Sequence, residues 1–178
     1  MRIISGTHKS IRITAPNNLP VRPTTDFAKE SIFNILNNDY YFDEIKVLDL
    51  FSGIGSISLE FASRECPDIT SVDNHSGCIQ FLEQKAKELK MENAISVRNS
   101  DVFDFIERSN EKYDVIFCDP PFAMDSIENL PLKIMEKDLL KEDGILIVEH
   151  GPKTDLQAFP YFERVRKYGN IRFSIFKK

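Results

Sequence analysis

A chain of 178 residues fits one domain, and a fold of that size buries roughly 70% of its unfolded surface. Its 42% hydrophobic and 29% charged residues exclude fibrous and disordered classes, and no stretch approaches the ~20 apolar residues of a membrane span. The net charge of −5 argues against a polyanionic partner only until its distribution is read: Arg2, Lys9, Arg12 and Arg22 stand in residues 1–25 with no acid, and residues 161–178 hold six basic residues against Glu163. With a Debye length of about 8 Å at physiological salt, a polyanion senses such local patches more than the total.

In chain order, MRIISGTHKS lacks the apolar core of a leader peptide, so the expected location is the cytoplasm. Residues 2–4 and 11–14 are short β-rich runs around Gly6-Thr7-His8-Lys9 and predict a hairpin. Thr25 or Asp26 caps a helix whose apolar face is expected to hold Phe27, Ile32, Phe33, Ile35 and Leu36. Residues 1–42 are thus expected to form an N-terminal extension, and residues 43–178 the main domain.

From Ile45 onward strands and helices alternate. Strands are predicted at 45–50, 69–72, 94–97, 113–118 and 144–149, with helices near 56–64, 75–91, 102–108 and 126–140 between them. Runs 162–167 and 171–176, joined by Tyr168-Gly169-Asn170, predict a closing antiparallel hairpin. The expected fold is α/β: a Rossmann-like, seven-stranded, mainly parallel sheet with an antiparallel C-terminal hairpin and a small N-terminal extension. Cys66, Cys78 and Cys118 form no CxxC pair and lie among apolar residues, which predicts buried reduced thiols, and no metal site is expected. His8, His75 and His150 have no partner spacing and are expected on the surface or in packing, while Glu60 and Arg64 form an i,i+4 helical ion pair.

Two constellations carry chemistry. Asp49-Leu50-Phe51-Ser52-Gly53-Ile54-Gly55 ends the first strand, where open α/β sheets bind ligands, and its glycines let backbone pass close to one. A dinucleotide is the rival ligand, because Gly53-x-Gly55-x-x-Ser58 approximates GxGxxG. Asp49 argues against it: a carboxylate directly before the loop would repel a pyrophosphate and suits the cationic methionine end of S-adenosylmethionine. Asp73 then suits the ribose hydroxyls and Asp101 the adenine amino group, although Asp101 is equally placed to cap a helix.

The second constellation is Asp119-Pro120-Pro121-Phe122. Two prolines after a buried strand remove two donors and leave nearby carbonyls free to accept. An exocyclic base amine held by the Asp119 carboxylate and the Pro120 carbonyl, with Phe122 stacked on the ring, is positioned to take a methyl in line from the sulfonium. The base must be unpaired or flipped out of its helix to arrive there.

These blocks, with MRIISG at the start, Arg22-Pro23-Thr24 before a helix, ESIFNIL (30–36) and DLFSGIGSISLEFASR (49–64), resemble the bacterial 16S ribosomal RNA guanine-N2 methyltransferase family, the RsmD family. The resemblance runs almost end to end and implies methylation of one guanine N2 in small-subunit rRNA, within an assembling subunit, by a monomer. It assigns Asp49, Phe51, Gly53, Gly55, Asp73, Asn74, Asp101 and Val102 to S-adenosylmethionine and its product S-adenosylhomocysteine. Asp119, Pro120, Pro121 and Phe122 would hold the guanine amine, and Arg2, Lys9, Arg12, Arg22 and Thr24 would face RNA. Glu65 departs from the family, which commonly has glycine there. The alternatives are a DNA adenine-N6 or cytosine-N4 methyltransferase, for whose separate recognition domain 178 residues leave little room, and a non-catalytic RNA-binding assembly factor.

Overall fold

A computed structural model describes residues 1–20 and 25–178, so Arg22 and Thr24 lie outside the described residues. Seven strands form one sheet: β1 (Lys46–Leu50), β2 (Asp68–Asp73), β3 (Ile95–Asn99), β4 (Tyr113–Cys118), β5 (Leu140–His150), β6 (Phe162–Tyr168) and β7 (Ile171–Lys177). Five α-helices accompany them: α1 (Asp26–Leu36), α2 (Ser56–Ser63), α3 (Ser76–Glu88), α4 (Val102–Arg108) and α5 (Asn129–Glu136). Sheet order is β3-β2-β1-β4-β5-β7-β6, parallel through β5, with β7 antiparallel to both its neighbours. The expected Rossmann-like sheet and C-terminal hairpin are therefore present. Strand order reverses between β1 and β4, which opens a crevice at their carboxyl ends.

Alternation along the central strands sorts side chains into two layers. Val47, Val115 and Ile145 face a cluster with Ile32, Phe33, Leu59 and Phe61, whereas Leu48, Ile116 and Leu146 face one with Ile106, Leu130 and Ile134. Helices cover both faces, and this is why these strands read as continuous apolar runs. Ile3, Ile13 and the α1 residues Ala28, Ile32, Phe33 and Leu36 belong to the first cluster, so residues 1–42 share the core of the main domain.

The N-terminal hairpin forms around one antiparallel bridge, Arg2 with Arg12, flanked by Ile3 N donating to Ile11 O and Ile13 N donating to Met1 O. The segment from Ile4 to His8 is held instead by α2. Ile4 N and Ser5 N donate to the Glu60 carboxylate at 2.7 and 3.0 Å, Thr7 N donates to the Ser63 carbonyl at 2.7 Å, and His8 N donates to Ser63 Oγ. Gly6 sits in the left-handed region (φ 81°), and a Cβ there would lie 1.8 Å from the Ser63 carbonyl oxygen. Glu60 also accepts from Arg64, as expected of the helical pair, and meets Lys29 Nζ at 3.4 Å. It is fully buried and clamps the extension to the sheet layer, a role its spacing to Arg64 did not reveal.

Phe27, expected on the buried face of α1, is 65% exposed. The helix is capped by Thr25, whose Oγ1 accepts from Ala28 N, and it turns Ala28, Ile32, Phe33 and Leu36 inward instead. Helix α5 is shorter than the span 126–140 because Asp138 adopts a left-handed conformation (φ 52°) just past its end. The residues thus released extend β5 back to Leu140, with an irregularity opposite Tyr113–Val115.

Candidate active site

At the crevice lies a cavity of about 540 Å³, within the range of small-molecule sites. The loop after β1 lines it with Phe51, Ser52, Gly53, Ile54 and Ser56, the end of β2 with Asp73, Asn74 and His75, and Asp101 follows β3. Asp119 through Phe122, after β4, and Glu149 on β5 complete the far wall, while Met1, Pro20 and Thr25 bring the extension to its rim.

The loop after β1 is held in an unusual backbone path. Phe51, Gly53 and Gly55 all have positive φ, at 61°, 52° and 80°. A non-glycine residue in that region signals a conformation imposed by its surroundings. Asp73 supplies part of the constraint: its Oδ2 accepts from Gly53 N at 2.8 Å and its Oδ1 from His75 N at 2.8 Å. Gly55 caps α2 and does not line the cavity; a Cβ there would stand 2.2 Å from Leu82 Cδ1, so this glycine serves helix packing. Gly55 brings no side-chain cap to α2, and of the first N–H groups of the helix that of Ser58 is met by the Asp49 carboxylate.

Asp49 stands one layer behind the lining. It is buried, and its Oδ2 accepts from Ser58 N at 3.1 Å and from Ser58 Oγ. Burial pushes its carboxyl up to about 7, with the Asp119 and Asp73 charges adding to the rise against the Ser58 bonds. Burial likewise holds the Cys118 thiol well above its ordinary range, helped by Asp49 and Asp119. The crevice is thus an electronegative region, complementary to a cation or to hydrogen-bond donors and unfavourable to a pyrophosphate. Two hydroxyls in the lining, Ser52 Oγ and Ser56 Oγ, are buried with no hydrogen-bond partner among the described residues. Such orphaned groups fit a polar ligand that satisfies them.

Asp101 performs both roles that its position allowed. Its Oδ1 caps α4 by accepting from Phe103 N and Asp104 N at 2.9 and 3.2 Å, and the residue also lines the cavity. Val102 does not: it is buried among Leu48, Val72 and Ile106. Asn74 lines the cavity, and so does His75, which was expected on the surface or in packing; its Nδ1 accepts from Cys78 N at the start of α3.

The Asp119 amide donates to the Leu50 carbonyl at 3.2 Å, tying the start of the tetrapeptide to the end of β1. The Pro121 carbonyl is taken by Met124 N at 2.9 Å, so among the described residues it is the Pro120 carbonyl that remains for another donor. Phe122 packs over Gly151, where a Cβ would come within 3.4 Å of its ring. Glu149 is the residue that sequence reasoning missed. It is 3% exposed, lines the cavity, and directly follows Val148, the register partner of Cys118, so Glu149 and Asp119 lie side by side near the carboxyl ends of β5 and β4. A glutamate directly after the apolar run 145–148 was the available signal.

Of the basic residues, Arg2 pairs with Asp26 at 3.1 Å. Lys9 and Arg12 are exposed, and Arg12 borders a second groove of about 410 Å³ that shares Met1 and Ile54 with the first cavity. All three cysteines are buried and unbridged, and no helix among the described residues is long and apolar enough to cross a membrane.

A family model described as conserved hypothetical protein 95 matches residues 1–177. YlbH of Bacillus subtilis (strain 168) is 32% identical over 184 residues, covering 100% of this chain and 99% of that protein. Ribosomal RNA small subunit methyltransferase D of Buchnera aphidicola subsp. Baizongia pistaciae is 30% identical, covering 99% and 91%. The solved structure of yhhF from Escherichia coli superposes with a TM-score of 0.87 at 26% identity, covering 100% of this chain and 97% of that one.

Proposed function

The chain belongs to the family of conserved hypothetical protein 95, the RsmD family, and on that premise we propose that it is an S-adenosylmethionine-dependent rRNA methyltransferase acting on the exocyclic N2 amine of a guanine in small-subunit rRNA. The rRNA methyltransferase class rests on relatives such as the Buchnera enzyme, which align end to end with this chain.

One observation carries the guanine reading: Asp119 and Glu149 present two carboxyl groups at the same wall of the cavity. Guanine offers N1–H and the N2 amino group on one edge, so neighbouring carboxylates meet only donors. Adenine and cytosine place a ring acceptor beside their amino group, and a second carboxylate would repel it. Asp119 and the Pro120 carbonyl hold the amine, and Phe122 stacks on the ring. No strong base is required, because the nitrogen releases its proton after gaining the methyl; positioning and placed acceptors supply the catalysis.

When bound, S-adenosylmethionine supplies an electrophilic methyl group on a sulfonium. Asp49, its carboxyl destabilised by burial, gains from a nearby cationic end. Ser52, Ser56 and the first turn of α2 ahead of Ser58 suit the amino-acid carboxylate. Asp73 and Asn74 face the ribose and Asp101 the adenine, with Phe51 and Gly53 shaping the floor. Lys9 and Arg12 lie along the route proposed for the RNA, Arg2 reaches it from its pair with Asp26, and Arg22 and Thr24, outside the described residues, are proposed RNA contacts from the sequence. The protein is proposed to act as a monomer on the assembling subunit.

The test is to incubate the protein with small-subunit rRNA and methyl-labelled S-adenosylmethionine, digest to nucleosides, and identify the labelled one. N2-methylguanosine is expected. Label in N6-methyladenosine or N4-methylcytidine overturns the guanine reading, and absence of label overturns the activity.

A further inference from the structure

Outside the cavity, an aromatic pair is left open to solvent. Phe27, 65% exposed, meets Tyr168 edge-on with ring centroids 5.5 Å apart, and Tyr168 in turn leans on the buried Phe173 at 5.8 Å. A phenylalanine in the first turn of a helix that buries Ala28, Ile32, Phe33 and Leu36 here leaves most of its ring in water. Its place is specific. Thr25, two residues before Phe27, lines the cavity, and Ile171, the register partner of Tyr168, lines it as well. The pair therefore stands at the cavity mouth, where α1 meets the β6–β7 hairpin.

On the hairpin side of the pair the charge is positive, whereas α1 carries Asp26 and the exposed Glu30 beside Phe27. Arg166 lies two residues from Tyr168 on the same face of β6, and Lys167 and Arg172 are paired across the hairpin. Salt bridges of this hairpin run through Arg164, Lys177 and Lys178, and among the described residues none reaches Arg166 or Lys167, both exposed.

We propose that Phe27 and Tyr168 form a stacking platform for the nucleotide adjoining the methylated one, with Arg166 on its phosphates. The proposal rests on the reading that the cavity receives an RNA base. A flipped nucleotide leaves its neighbour with one unstacked face, and an aromatic ring at the pocket mouth replaces the lost contact. Basic residues on the hairpin side of the rings favour RNA over an apolar protein surface, because each phosphate neutralised adds to the salt-dependent affinity.

The experiment uses the full chain and two probes, a single-stranded oligouridylate and an abasic strand of equal length. Phe27→Ala is expected to weaken oligouridylate binding roughly 5- to 30-fold and leave the abasic strand unchanged, because base–aromatic stacking carries about 1–2 kcal/mol here. Phe27→Trp restores the wild-type value. Arg166→Gln weakens both strands and lowers the salt slope. In rRNA methylation, Phe27→Ala raises KM while kcat stays within about twofold. Equal binding of oligouridylate by wild type and Phe27→Ala overturns the platform and leaves the patch to a protein partner. Wild type that shows the stacking effect yet methylates no rRNA overturns the proposed activity instead, so the two failures are distinguishable.

Discussion

Replacing Asp49 by asparagine tests the electrostatic reading of the crevice directly. The carboxyl is buried, with an ordinary value of 3.8 pushed up to about 7. A raised acid pKa means that the folded state holds its proton more tightly than the unfolded chain, so stability falls as pH rises from about 3.8 through 7 and levels off above. At about 1.4 kcal/mol per pKa unit the full penalty is about 4 kcal/mol, of which about 2.5 kcal/mol develops between pH 5 and pH 8. Asparagine keeps an oxygen for Ser58 and removes the titration, at a cost of about 1–3 kcal/mol for a buried amide that is the same at both pH values. Urea denaturation of both proteins across that range is the assay. The wild-type stability curve is expected to fall relative to Asp49→Asn by about 2.5 kcal/mol, and the variant should bind S-adenosylmethionine more weakly. Parallel stability curves would refute the reasoning, because they would mean that Asp49 ionises in the folded protein as it does in water.

Gly55→Ala forces a side chain into a left-handed position and against Leu82 Cδ1 at 2.2 Å; the two effects together lower stability by about 2–5 kcal/mol, read from the urea midpoint. Asp73→Ala removes the acceptor for Gly53 N and His75 N, and the rise in melting temperature that S-adenosylhomocysteine gives the native chain is expected to vanish. Glu65 occupies the left-handed position (φ 70°) just past α2, with Glu65 N donating to Ala62 O and Cys66 N to Phe61 O. Glycine suits that helix end, so Glu65→Gly should raise stability by up to about 1 kcal/mol, or about 2–4 °C in Tm.

The parallel sheet was legible because the central strands β1 and β4 are buried on both faces and end at loops with chemistry of their own. Asp49, Asp73, Asp101 and Asp119 all fall at strand ends, and the topology gathers strand ends at one crevice. Periodicity could not tell that Asp49 sits behind the lining, which depends on the side of the sheet it points to, or that Val102 faces the core, which depends on how α4 docks. Glu60 was invisible for a different reason: its partners Ile4 N, Ser5 N and Lys29 lie 31 or more residues away in sequence. Phe27 misled because composition marks it as core, whereas Ala28 and Lys29 take the inward positions of the first turn. Lys29 is tolerated there because Glu60 and the Arg2 carbonyl meet its ammonium, although burial still lowers its pKa.

Charge separation within the fold addresses the apparent conflict between a net charge of −5 and an RNA substrate. Asp49, Asp73, Asp101, Asp119 and Glu149 gather around one cavity, whereas Arg12, Arg166 and Lys167 stand exposed on the extension and the hairpin near its rim. A phosphate is repelled by the cavity and attracted by the rim, while a neutral base edge rich in N–H donors gains by entering. The same acids that make the chain acidic overall therefore orient the polyanion, backbone outside and base inside. Salt should then act unequally: between 50 and 200 mM, RNA affinity is expected to fall at least 10-fold through the exposed cations. S-adenosylhomocysteine affinity, measured by calorimetry, should change less than twofold, since the product carries no net charge and its site is enclosed. Equal salt sensitivity of the two ligands would contradict this division of charge.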